Sequence, residues 1–174
     1  MKLNNKGLSL VELIVVIAIM TVLSGIAYIG VGSIFNSQVT QCTENMENLI
    51  NKVRVSSLGR ISVTLRFYQD TDGSYYAETK VTKGYGSSAT VETTVDKVGK
   101  AGIIVKYTND TSITQHNQPG VLTLSSLDSN QIDVQFNRSS GEALPNCVSK
   151  IWIIRNSKES TITIYKETGK VVVD

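Results

Sequence analysis

Few side chains in this 174-residue chain are of a kind that does chemistry. His116 is the only histidine and stands in the polar loop TQHNQPG, the setting of a solvated imidazole rather than a catalytic one. Asp70-Thr71-Asp72-Gly73 opens like a calcium loop, but the acids that follow miss the spacing such a loop needs, so a hairpin turn is expected there. Cys42 and Cys147 match no metal-ligand spacing. If the body of the chain is exported, a disulfide can join them; two separate buried thiols are the other reading. The motifs GxSxG, HExxH, GxxxxGK[ST] and GxGxxG are all missing. Nothing here argues for an enzyme, a metal site or a cofactor. One acid is harder to dismiss. In KGLSLVELIVV, Glu12 lies inside the first turn of a wall of aliphatic residues.

That wall defines the organisation of the chain. Residues 1–7, MKLNNKG, form a short basic leader. From Leu13 to Thr43 there is no Asp, Glu, Lys or Arg. Leu13 to Ile34, at about 1.5 Å per helical residue, would span roughly 33 Å, enough to cross the hydrocarbon core of a bilayer. Residues 8–34 are therefore expected to be a transmembrane or filament-core helix. Residues 35–58 continue it in another register, with Phe35, Val39, Cys42, Met46, Leu49 and Val53 forming one apolar stripe. No proline interrupts residues 8–58, so both segments can be one helix of about 50 residues. Ser56, Ser57 and Gly59 mark its end.

After Gly59 the apolar period becomes two. Strands are expected at 61–68, 74–81, 103–108, 121–127, 131–137, 150–156, 160–167 and 170–174, separated by turn-forming clusters such as DTDG, QPG and ETG. Residues 82–102 read as a loop with one short strand. The predicted class is α+β: a long N-terminal helix whose apolar stripe packs on a C-terminal antiparallel β-sheet head spanning 59–174. Charge adds little. Without Lys2 and Lys6, 15 basic residues face 15 acidic ones, so no net field favours nucleic acid or anionic lipid. Lys52, Arg54, Arg60 and Arg66 gather near the helix end, where a solvated face is the plain reading and a DNA-contacting patch the sharper one. Tyr75, Tyr76 and Tyr85 offer an adhesive surface, although half of a strand's side chains face solvent in any case.

Glu12 returns the argument to the N-terminus. A carboxylate in hydrocarbon is costly, about 2.5–3.5 kcal/mol at mid-bilayer, and calls for a partner. Cutting the chain between Gly7 and Leu8 would create one, because the new α-amino group of Leu8 is a cation close to the acid in a low-dielectric setting. A secretory signal peptide, with Gly25-Ile26-Ala27 as its cleavage site, would leave Glu12 inside the signal's apolar core and the apolar run continuing past the cut. A plain membrane anchor leaves Glu12 unpaired.

The stretch Lys6-Gly7-Leu8-Ser9-Leu10-Val11-Glu12-Leu13 closely resembles the class III signal of type IV pilins and of the pseudopilins of type II secretion. The resemblance implies that a membrane prepilin peptidase cuts after Gly7 and methylates the amino group of Leu8, and that Glu12 serves assembly. It implies as partners the other pilin subunits, through the N-terminal helix, and a pilus assembly platform. It further implies a single-pass stay in the cytoplasmic membrane before incorporation into an extracellular pilus or pseudopilus. Leu8 stands in place of the usual phenylalanine, and Ile29 stands where many major pilins have a kink-forming proline, which points toward a minor pilin or pseudopilin. The C-terminal order QIDVQFN, SKIWIIRN, STITIYKETGKVVV is similar to the tail of the pseudopilin H and FimT-like minor pilin domain. Some FimT-like relatives bind DNA during uptake, so a tip-borne binding module for DNA or adhesion is the alternative, and a signal-anchored surface protein with no assembly role is the independent rival.

Overall fold

The computed structural model describes residues 9–58, 62–84, 89–126 and 130–174, and for 26–35 the backbone alone. Gly7 and Leu8 lie outside the described residues, as do Gly59, Arg60 and Tyr85. The described order is one helix followed by nine strands. Helix α1 (Leu10–Ser57) runs for 48 residues without a break. By packing, the chain divides into two units, 1–35 and 36–174.

In the first unit every described side chain from Leu10 to Gly25 is exposed. Among the described residues no helix is long and apolar enough to cross a membrane. The described side chains of the apolar run stop at Gly25, whereas the run continues in the sequence to Ile34.

In the second unit the helix buries Val39, Cys42, Met46, Ile50 and Val53 at 0–1% exposure. Successive intervals of three, four, four and three keep these positions on one face of a 3.6-residue helix. Of the expected stripe, the Phe35 side chain lies outside the described residues; Ile50 belongs to it, wholly buried, and Leu49 packs against the core only partly buried at its edge.

Two antiparallel sheets, rather than one, form the rest of the core with this stripe. The first has the order β3 (Thr90–Gly99), β2 (Tyr75–Lys83), β1 (Ser62–Gln69), β6 (Ile132–Val134), and the second β5 (Leu122–Thr123), β4 (Ile104–Thr108), β7 (Lys150–Arg155), β8 (Lys158–Tyr165), β9 (Lys170–Val173). In β1 (Ser62–Gln69), Val63, Leu65 and Phe67 point inward and alternate with half-buried Thr64, Arg66 and Tyr68. β2 (Tyr75–Lys83) adds Tyr75 and Ala77, and β6 (Ile132–Val134) adds Ile132 and Val134. In the second sheet, β4 (Ile104–Thr108) contributes Val105 and Tyr107, β7 (Lys150–Arg155) Ile151 and Ile153, and β8 (Lys158–Tyr165) Ile162 and Ile164. β5 (Leu122–Thr123) and β9 (Lys170–Val173) are its edges. Burying aliphatic side chains on this scale is what holds such a unit together, at about 1.5–3 kcal/mol for each one fully removed from water.

The main departure from the sequence pattern is β3 (Thr90–Gly99), ten residues where a loop with one short strand is expected. It pairs with β2 from Lys83↔Thr90 to Tyr75↔Gly99, yet Thr90–Lys97 are all exposed. With neither face buried, the strand has no apolar alternation to show. Strands β5 and β6 are shorter than their patterns, and Phe136 instead makes an isolated bridge to Ala143.

Arg54, in the last turn of α1, donates from Nη2 to the Thr168 carbonyl at 2.8 Å, which ties the helix end to the β8–β9 turn. That turn needs Gly169. Its φ is +63°, and an added Cβ would run into the Gly141 carbonyl. Cys42 and Cys147 are both free in the structure and both buried, rather than joined. Burial pushes the Cys42 thiol up to about 12 and the Cys147 thiol in the same direction, so neither is a ready nucleophile.

Candidate functional site

The site is the start of α1. The Leu13 amide donates to the Ser9 carbonyl at 3.1 Å, so the helical hydrogen bonds begin at Ser9 and Glu12 lies in the first turn. Two consequences follow from that placement. A carboxylate here lies at the positive end of the helix dipole, where negative charge is favourable by about 0.3–1 kcal/mol. Ser9 and Glu12 are also spaced as a serine cap and the acid of a capping box. The spacing is legible in the sequence as S-x-x-E before an apolar run, a signal that the reading of Glu12 as a membrane-buried acid passes over. Glu12 is exposed in the single chain.

Beyond Glu12 the helix surface is apolar on all sides. Leu13 is 52% exposed, Ile14 56%, Met20 63% and Leu23 60%. The two hydroxyls of Leu10–Gly25 are turned back on the helix: Thr21 Oγ1 donates to the Ala18 carbonyl at 2.8 Å and Ser24 Oγ to the Met20 carbonyl at 2.7 Å. Each thereby meets its hydrogen-bonding need within the helix, which suits lipid or close helix packing equally. This surface offers hydrocarbon all round and one carboxylate at its beginning. Chemically it can dissolve in a bilayer, pack against like helices, and pair one cation.

Among the described residues, the others singled out by type do not converge on a second site. Arg66 forms a two-pronged pair with Asp133, at 2.7 and 3.2 Å, across the β1–β6 ladder. This bond, with the nearby Asp133 and Glu78 charges, holds its guanidinium even more firmly protonated. With Arg54 bound to the β8–β9 turn and Arg66 to Asp133, two members of the basic group are already engaged. Tyr75 belongs to the core and donates its hydroxyl to the Ile103 carbonyl at 2.9 Å. Tyr76 stacks on Tyr68 at 6.0 Å, with the Lys97 ammonium 5.6 Å from its ring centre, so its neighbours are intramolecular. His116 Nδ1 faces Glu159 Oε1 at 3.2 Å. Asp70–Gly73 is the turn of the β1–β2 hairpin: the Gly73 amide donates to the Asp70 carbonyl, and Asp72 accepts the Ser74 amide. Among the described residues no three His, Cys, Asp or Glu side chains are placed to hold a metal ion.

Residues 2–28 match the family model described as the prokaryotic N-terminal methylation motif. No curated protein and no solved structure matches the chain. The matched segment covers the leader, Gly7, Leu8, Glu12 and the exposed apolar helix together. At its N-terminus, the chain carries the class III signal typical of type IV pilins and pseudopilins, a signal that implies processing by prepilin peptidase, and it joins this signal to an α+β architecture of one long helix and antiparallel sheets.

Proposed function

We propose that the chain is a structural subunit, a minor pilin or pseudopilin, of a type IV pilus or a type II-secretion-like pseudopilus. Residues 1–7 are the leader, 8–34 the segment that lies in the membrane and then in the filament core, 35–58 its amphipathic continuation, and 59–174 the head. Prepilin peptidase cuts between Gly7 and Leu8 and methylates the Leu8 amine. Glu12 then pairs with the α-amino group of Leu8 on a neighbouring subunit. Two charges in low dielectric are costly apart and satisfied together, so the pair favours docking and sets its register. Isoleucine at position 29, where major pilins often kink at proline, supports the minor or pseudopilin role.

One observation carries this reading: the methylation motif at 2–28 coincides with a helix surface that is apolar all round and exposed from Leu10 to Gly25. A plain tether would leave a carboxylate at the start of that surface without a partner in hydrocarbon, whereas assembly supplies one. The test is the mature N-terminus. Mass spectrometry of membrane and sheared-filament fractions is expected to find chains beginning at N-methyl-Leu8, and Gly7→Val to leave full-length precursor. Mature chains beginning at Met1 or Tyr28 would refute the proposal.

A further inference from the structure

Two buried hydrophobic side chains stand apart from the main core. Trp152 is 1% exposed and Ile113 8% exposed, yet neither belongs to the cluster that joins the helix to both sheets. The alternation of β7 explains why. Ile151 and Ile153 face the core, so Trp152 points to the opposite face of its sheet, between Lys106 of β4 and Thr161 of β8. An indole on the outer face of a sheet is hidden only if something lies over it.

Residues 109–121, between β4 and β5, supply the cover. Lys150 donates to the Ile113 carbonyl at 2.9 Å, Lys106 to the His116 carbonyl at 3.4 Å and Thr108 to the Gly120 carbonyl at 3.3 Å. His116 meets Glu159 at the far side. Lys106, Thr108, Lys150 and Glu159 all lie on the face that Trp152 occupies, by the same ladder registers. The segment is stiffened internally: Gln118 Oε1 accepts the Thr114 and Gln115 amides, and Asp110 accepts the Ser112 amide. Among the described residues, no backbone-to-backbone bond joins 109–121 to the sheet.

We propose that residues 109–121 form a strap that opens as a unit over Trp152 while both sheets remain folded. Its attachments are side-chain clasps and one apolar plug, Ile113, whereas β7 is held by ladders on both sides and by the main core. Segments with few buried apolar contacts and no shared ladder open at a small fraction of the cost of global unfolding. When the strap opens, the polar outer face of the second sheet gains an exposed indole flanked by lysines.

The chain has a single tryptophan, so its fluorescence reports this event directly. Acrylamide quenching is measured on the full-length chain in detergent micelles, alongside the urea midpoint from far-UV circular dichroism. Two variants are compared with wild type: Ile113→Ala, which removes the plug, and Lys150→Met, which removes a clasp and leaves Trp152 in place. Each is expected to raise the Trp152 quenching constant about threefold or more with an unchanged urea midpoint. If Trp152 stays as protected as in wild type in both variants, the strap is not its cover. If quenching rises only in step with a falling urea midpoint, strap and sheet unfold together and the proposal is overturned.

Discussion

One helix carries two apolar surfaces with opposite fates. From Val39 to Val53 the apolar residues occupy a single stripe, and the sheets cover it until Val39 and Ile50 are wholly buried. From Leu10 to Gly25 they occupy all faces, and every one of these side chains is exposed. The difference lies in what each surface is matched to. A stripe on a helix is complementary to one face of a sheet from the same chain, and polar residues such as Gln41, Glu44 and Asn48 keep the other side in water. A surface apolar all round has no such solution within a small domain. Lipid or other helices must supply its surroundings. Folding uses one surface; the proposed function gives the other to assembly.

The largest expected effect breaks this comparison at the stripe. Ile50→Ala should lower the unfolding free energy of the second unit by about 2–5 kcal/mol, since a fully buried aliphatic is replaced by a cavity. Ile17→Ala, the same kind of truncation at an exposed site, should change it by less than about 0.5 kcal/mol. Urea titrations of both variants check this, and equal losses would show that the two surfaces are not functionally separate.

A second prediction sharpens the account of the buried side. Cys42 and Cys147 are both free and covered, so iodoacetamide at pH 8 should leave native protein unlabelled over minutes. After unfolding without reductant it should add two groups per chain. An unfolded, unreduced chain that takes up none would mean that the thiols are bonded to each other.

The smallest effect concerns acid. Asp72 and Asp110 each hold a backbone amide, from Ser74 and Ser112, and these bonds set both carboxyls below the usual aspartate range. The bonds favour the charged form in the folded chain. Their contribution is therefore present above the ordinary aspartate value of about 3.9 and is lost as pH falls through the lower folded value. The stability gap between wild type and an Asp72→Asn/Asp110→Asn variant should narrow below about pH 4. A gap that widens there would reverse the assignment.

What could be read from the sequence follows the same division. The helix stripe and the strands β1 and β8 were legible because one face of each is buried, and burial leaves a period in the residues. Strand β3 was not, because its Thr and charged residues face solvent on both sides and its pairing is a matter of backbone. The cover over Trp152 was equally hidden: TSITQHNQPG shows only turn chemistry, and nothing local records that Ile113 will meet a distant sheet. At the N-terminus, Glu12 was visible as an anomaly of charge among hydrocarbon. The capping-box spacing it shares with Ser9 involves the same residue and bears on the choice of variant.

Glu12→Gln separates the two roles. Glutamine serves in a capping box as glutamate does, so the helix start is kept, while the charge that would meet the Leu8 amine is lost. Membrane insertion and cleavage after Gly7 should continue. Incorporation should fall steeply, because the neighbour's ammonium would be buried without a counter-charge, at about 3–5 kcal/mol where burial is deep. The measurement is a paired assay of precursor against mature chain in membranes and of mature chain in sheared filaments. The account predicts normal cleavage with little or no variant in filaments. Variant entering filaments as well as wild type would contradict it.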